Sequence, residues 1–251
     1  YSMFEMWIEH LSEYGIVIAL VIGLGFGFIH AFDPDHMVAV STIVGRYRNP
    51  LRAFWVGISW GLGHTTTLVA IGLLVIGLKV GIPERLYPFL EAAVALMLIG
   101  LGVYVIYSLK KKKVQQHIHG HEEDAHSHFH SQAENPADST GDHDSKGIGR
   151  PFFRTKSYVI GTVHGLAGSG GLIMLITAKL SPLNALGFIS LFGLGSVLSM
   201  GMVTIVISVP FVLTATRAPN LNRYIQGFFG VASILLGAYL VYEFLAGQGV
   251  L

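Results

Sequence analysis

Residues 15–44 read GIVIALVIGLGFGFIHAFDPDHMVAVSTIV. The first half of this stretch carries no polar side chain at all. Then His30, Asp33, Asp35 and His36 arrive within seven residues, with Pro34 between the two aspartates. One membrane crossing takes about 20 apolar residues, so the stretch exceeds a single straight span. A proline inside a helix removes a backbone donor and kinks the chain, and we therefore read residues 15–44 as one discontinuous membrane helix. Irregular backbone at membrane depth is tolerated only where it lines a cavity or a site. A carboxylate in the bilayer core costs at least a few kcal/mol, and no Lys or Arg lies deep enough to pair with Asp33 and Asp35. A cation, a proton or water must compensate them.

The rest of the chain sets this stretch among others like it. Of 251 residues, 52% are hydrophobic and only 12% charged, about half the charge of an ordinary soluble domain. Further apolar stretches lie at about residues 54–78, 86–109, 158–180, 183–216 and 224–246, which predicts an all-α polytopic membrane protein with six transmembrane helices. Thirteen of the 16 basic residues, from Arg46 to Arg52, Lys110 to Lys113, Lys146 to Lys156, and Arg217 and Arg223, fall on one face. Lys79, Arg85 and Lys179 fall on the other. The positive-inside rule then puts both termini outside and the third loop in the cytoplasm, in the inner membrane of a prokaryotic cell. No secretory signal is expected, because Tyr1–Tyr14 holds Glu5, Glu9 and Glu13 but no basic residue. There is no cysteine and the net charge is +1. Disulfides and thiolate ligands are excluded, and nothing points to nucleic acid.

The stretches also repeat. Gly27-Phe-Ile-His30 recurs as Gly161-Thr-Val-His164. Gly61-Leu-Gly63-His64 recurs as Gly193-Leu-Gly195-Ser196, and Gly102-Val-Tyr104 with Tyr107 recurs as Gly237-Ala-Tyr239 with Tyr242. The order is kept and the offset is nearly constant. Three spans per half is an odd number, so the halves insert with opposite orientation, a 3+3 inverted repeat of the kind transporters use. The expected domains are residues 1–109, the first three-helix repeat; 110–148, a His-rich loop; and 149–251, the second repeat.

The polar residues of the spans are the candidate site. On a regular helix, positions 30 and 36 lie about 240° apart, and only a break at Pro34 lets them share a ligand. The break also frees the His30 carbonyl, since Pro34 has no N–H to give it. His64 lies about 16 Å from the inner edge of its span at 1.5 Å per residue, and His30 within roughly 10 Å of that depth. Imidazole with carboxylate suits Ni²⁺, Co²⁺ and Zn²⁺, and the lack of sulfur disfavours Cu(I). His30, Asp35, His36 and His64 are the expected metal ligands, with no resident cofactor. Asp33 is either a further ligand or the N-cap of the helix resuming at Pro34. His164 is either a ligand or part of a close-packed glycine-rich crossing. Ser196, in the place of His64, is a secondary candidate, and Glu91 reads as a solvated interface residue.

His30-x4-Asp35-His36, followed by Met37-Val-Ala-Val40, resembles the signature of the NiCoT-type nickel/cobalt permeases and the wider NicO group. Leu62-Gly-His-Thr65 is similar to the family's second membrane motif, and His164-Gly-Leu-Ala-Gly-Ser-Gly-Gly171 to a segment of the shorter, urease-associated branch. The resemblance implies secondary transport of Ni²⁺ and/or Co²⁺, with His30, Asp35 and His36 required, and a metallochaperone or urease or hydrogenase maturation factors as partners. Longer members have eight spans, and Pro34 stands where many have Ala. Uptake is favoured over efflux, because the Asp-containing motif resembles the uptake branch. Two classes of protein compete with a transporter. One is an intramembrane enzyme, against which the chain offers no base for Ser169 and no His-Glu-x-x-His. The second is a metal sensor or accessory protein without flux.

Between the halves, His117, His119, His121, His126, His128, His130 and His143 alternate with acidic residues. Such composition fits weak, multi-site binding of divalent metal, or a solvated linker. Lacking apolar periodicity, it is expected to be disordered.

Overall fold

The computed structural model describes residues 15–47, 49–78, 86–114, 153–166 and 180–247. Among these residues there are seven helices and no strand: α1 (Gly15–His30), α2 (Pro34–Val44), α3 (Pro50–Leu78), α4 (Tyr87–Val114), α5 (Thr155–His164), α6 (Pro182–Arg217) and α7 (Pro219–Gly247). The four longest, α3, α4, α6 and α7, are long and apolar enough to cross a membrane, and α1 ends in a shorter apolar helix, Leu20–His30. The chain is a helical membrane protein.

The surface is that of a protein solvated by lipid. Leu96, Val206 and Leu235 are 64–70% exposed, while His36, His64, His164, Ser196, Ser199 and Thr204 are buried. A soluble protein sorts these residue types the other way. The apolar core, built from Ala39, Val40, Val44, Trp60, Leu98 and Met200, joins α2, α3, α4 and α6.

The first apolar stretch is broken at Ala31–Asp33. The Asp33 N–H donates to the His30 carbonyl at 3.1 Å, and α2 then starts with Pro34 at its first position, Met37 N–H donating to the Asp33 carbonyl at 3.0 Å. Pro34 is at home there, since a first-turn N–H has no intrahelical partner to lose. The His30 carbonyl is therefore engaged by Asp33 rather than left free, which corrects the expectation that the missing Pro34 N–H would expose it. At its far end α2 is tied to α4 by Arg46, which donates to the Tyr104 hydroxyl at 2.7 Å and the Ser108 hydroxyl at 3.0 Å. The 36-residue α6 passes through Pro210 without a break. At about 1.5 Å per residue it exceeds the bilayer's roughly 30 Å hydrocarbon core, and tilt or extension beyond the core accommodates it. Of the fourth apolar stretch, α5 covers the part up to His164; residues 167–179 lie outside the described residues.

Helix α1 packs along α6, α5 along α3, α3 along α6, and α4 along α7. Backbones touch where glycines allow it. A Cβ on Gly27 would fall on the Phe192 carbonyl, and one on Gly161 on the Trp60 carbonyl. Likewise Gly63 meets the Tyr158 carbonyl and Gly195 the Leu24 carbonyl, while Gly102 meets Gly230 and Gly237 meets Ala95. Each contact has a counterpart displaced along the chain by the repeat offset. Close backbone approach of this kind is how membrane helices gain packing energy without a hydrophobic driving force. Gly161→Val should lower the thermal midpoint markedly, an overpacking cost of about 1–3 kcal/mol or more. Gly25→Ala, with nothing within 4 Å of the new methyl, should be neutral or slightly stabilising. Thermal unfolding in detergent compares the two, and equal midpoints would refute the packing argument.

Candidate metal centre

Four imidazoles from four helices come together at the break. His30 ends α1, His36 lies in the first turn of α2, His64 is midway along α3 and His164 ends α5. Their relative exposures are 8%, 2%, 0% and 1%. Ring centroids lie 4.4 Å apart for His30–His36, 5.1 Å for His30–His64, 5.3 Å for His36–His64 and 4.0 Å for His36–His164. His36 is central, and its ring stacks on that of His164 with an interplanar angle of 25°.

Two carboxylates hold three of these rings. His30 Nδ1 lies 2.7 Å from Asp33 Oδ2. His36 Nδ1 lies 3.0 Å from Asp35 Oδ1, and His164 Nε2 lies 2.9 Å from Asp35 Oδ2. A carboxylate only accepts, so each of these nitrogens carries the proton and the other ring nitrogen presents a lone pair. Those other nitrogens are His30 Nε2, His36 Nε2 and His164 Nδ1. All three are buried with no hydrogen-bond partner among the described residues, as are both nitrogens of His64. A buried polar group left without a partner costs about 1–3 kcal/mol. Unpartnered imidazole nitrogens are donors that a cation can satisfy. The nitrogens of His30, His36 and His64 lie within 4.8 Å of one another. Neighbouring donors on a tetrahedral ion with bonds of about 2.1 Å stand roughly 3.4 Å apart, so closing on an ion takes a movement of about an ångström.

Asp33 occupies the N-cap position of α2 but makes no side-chain capping bond; its carboxylate faces His30 instead. Asp35 braces both His36 and His164. This is the carboxylate–histidine arrangement that fixes a metal-binding imidazole's tautomer and orientation. The Ser196 hydroxyl donates to the Phe192 carbonyl at 2.9 Å and the Gly27 carbonyl at 3.1 Å. Glu91 is exposed. The loop histidines from His117 to His143 lie outside the described residues.

Two aromatic residues escaped the sequence reading. The Phe192 ring lies 5.5 Å from that of His30, and the Trp60 ring 5.3 Å from both His36 and His164. The signal was in the repeat, which aligns Trp60 with Phe192 as it aligns His164 with His30.

The chain is 33% identical over 240 residues to the urease accessory protein UreH of Bacillus sp. (strain TB-90), spanning 95% of this chain and 97% of that protein. It is 26% identical over 226 residues to the chloroplast protein FOR GROWTH AND FERTILITY 2 of Arabidopsis thaliana, spanning 87% of this chain and 55% of that one. No family model matches the chain. No solved structure matches it either.

Proposed function

The chain belongs to the family of the urease accessory protein UreH, in keeping with the segment from His164 to Gly171 that resembles the urease-associated branch, and from that premise we propose that it carries Ni²⁺ and/or Co²⁺ across the membrane. The observation that carries this reading is the buried set of unpartnered nitrogens on His30, His36 and His64. Neutral imidazoles braced by carboxylates and lacking any thiolate favour borderline divalent ions. The ion is cargo, so its site belongs at a helix break near the bilayer midplane.

We read the six spans as a 3+3 inverted repeat, with both termini outside and the His-rich loop in the cytoplasm. The reciprocal glycine contacts and the distribution of basic residues support that topology. Uptake is the direction we favour, with delivery to urease or hydrogenase maturation. Efflux is the second reading, since a cytoplasmic His-rich loop serves collection for export as well as release after import. Metal flux into proteoliposomes of known orientation decides between them. Ni²⁺ accumulation driven only from the loop-bearing face would overturn uptake, and no saturable flux in either direction would overturn transport.

The loop tunes transport in this scheme. Ordering a chelate in a segment without apolar periodicity costs about 1–2 kcal/mol of backbone entropy per fixed residue, which favours shallow, exchangeable binding. The ligand form is neutral imidazole, so loop affinity falls as pH drops through about 6.5. Replacing residues 117–143 with a Gly/Ser linker should leave flux at saturating metal unchanged while shifting the half-saturating concentration. Loss of flux at every metal concentration, with membrane insertion intact, would place the loop in the obligatory pathway instead.

A further inference from the structure

We propose that the pathway holds a second metal position on the other side of His36, formed by Asp35, His36 and His164, which exchanges the ion with the His30, His36 and His64 position. The inference rests on the transport reading above.

Three observations carry it. The first is that the donor atoms of Asp35, His36 and His164 lie within 4.8 Å of one another. The carboxylate-to-imidazole separations, 3.0 Å to His36 Nδ1 and 2.9 Å to His164 Nε2, are close to the spacing of adjacent donors on an ion with bonds of about 2.1 Å. The second is that His36 belongs to both groups and has two nitrogens in different surroundings. Its Nε2 is free and buried, while its Nδ1 meets Asp35. The third is that His164 is 1% exposed, stacked on His36, and turns its Nε2 to Asp35.

Passage between the positions is a ligand exchange about His36. The ion leaves His30 and His64 and gains Asp35 and His164, while His36 changes from Nε2 to Nδ1. The proton on His36 moves from Nδ1 to Nε2. The proton on His164 moves from Nε2 to Nδ1, the nitrogen that has no partner. Both rings stay neutral and no proton leaves the site. Two dications this close repel, so one position is filled at a time. His36 Nε2 releases the ion before Nδ1 takes it up, so each position binds with few donors and gives the ion up again, as a cargo site that must both load and release requires. The aromatic residues fit the same division, Phe192 beside His30 and Trp60 beside His164.

The test uses the full chain with Co²⁺ as probe, read by its d–d absorption and X-ray absorption fine structure in detergent, and by flux in proteoliposomes. His164→Ala should still bind one Co²⁺ through nitrogen donors alone, yet its flux should fall at least tenfold, and His164→Gln should do the same. His30→Ala should also still bind Co²⁺, now with a carboxylate oxygen among the donors. Flux within twofold of the unaltered chain in both His164 variants would overturn the second position. So would a His30→Ala protein that binds no Co²⁺ or binds it without an oxygen donor, a result that stands even if the His164 variants do not fold. If instead His36→Ala retains flux, the transport site itself is wrong, and the second position falls with it.

Discussion

Flux of Ni²⁺ or Co²⁺ through His36→Ala should fall to that of protein-free vesicles, and His64→Ala should behave the same way. Removing an outer partner of a metal ligand typically costs about 10–100-fold in metal affinity or activity, and removing one of three inner donors costs more. His36 is the central ring, 4.4 Å from His30, 5.3 Å from His64 and 4.0 Å from His164, so no neighbour replaces it. His64 makes no hydrogen bond through either nitrogen. Its loss therefore removes no internal bond, and His64→Ala should insert and run as a monodisperse peak in detergent. That makes it the cleaner of the two variants. Saturable flux near the unaltered level in both would sink the site.

The break in the first span was legible because one residue type dictates it. Pro34 cannot donate to the carbonyl four residues back, and a helix that must restart does so most easily with proline in its first turn. The long apolar helices were legible for a similar reason, since lipid leaves little choice but unbroken backbone bonding. What the sequence concealed depends on contacts through space. Nothing in Asp33-Pro-Asp35 distinguishes a carboxylate that binds an ion from one that braces an imidazole. The turn at Ala31–Asp33, closed by the Asp33 N–H on the His30 carbonyl, swings the Asp33 side chain back onto His30 and away from the cap. His164 was equally ambiguous. Its own neighbourhood offers no acid, and its partner Asp35 comes from the other half of the chain, brought near by the packing of α5 on α3.

Asp35→Asn should lose metal affinity by about 10–100-fold despite being nearly isosteric, and Asp35→Ala should lose at least as much. A carboxylate accepts from two N–H groups at once, which is how Asp35 faces both His36 Nδ1 and His164 Nε2. An amide offers one oxygen and one NH₂. If the oxygen stays on His36, the NH₂ meets the N–H of His164, and that ring must shift its proton to the buried Nδ1. If the oxygen turns to His164, the His36 proton moves to Nε2 and removes the lone pair that nitrogen carries now. Either way one of the two rings loses the free nitrogen it presents now. Asp33→Asn provides the contrast. Asp33 braces a single ring, and an amide oxygen accepts that one bond, so the variant should keep most of its affinity while Asp33→Ala does not. Metal titration of the four detergent-purified variants, followed through Co²⁺ absorption, gives the comparison. Equal losses for Asp33→Asn and Asp35→Asn would mean that the negative charge matters and the bracing does not.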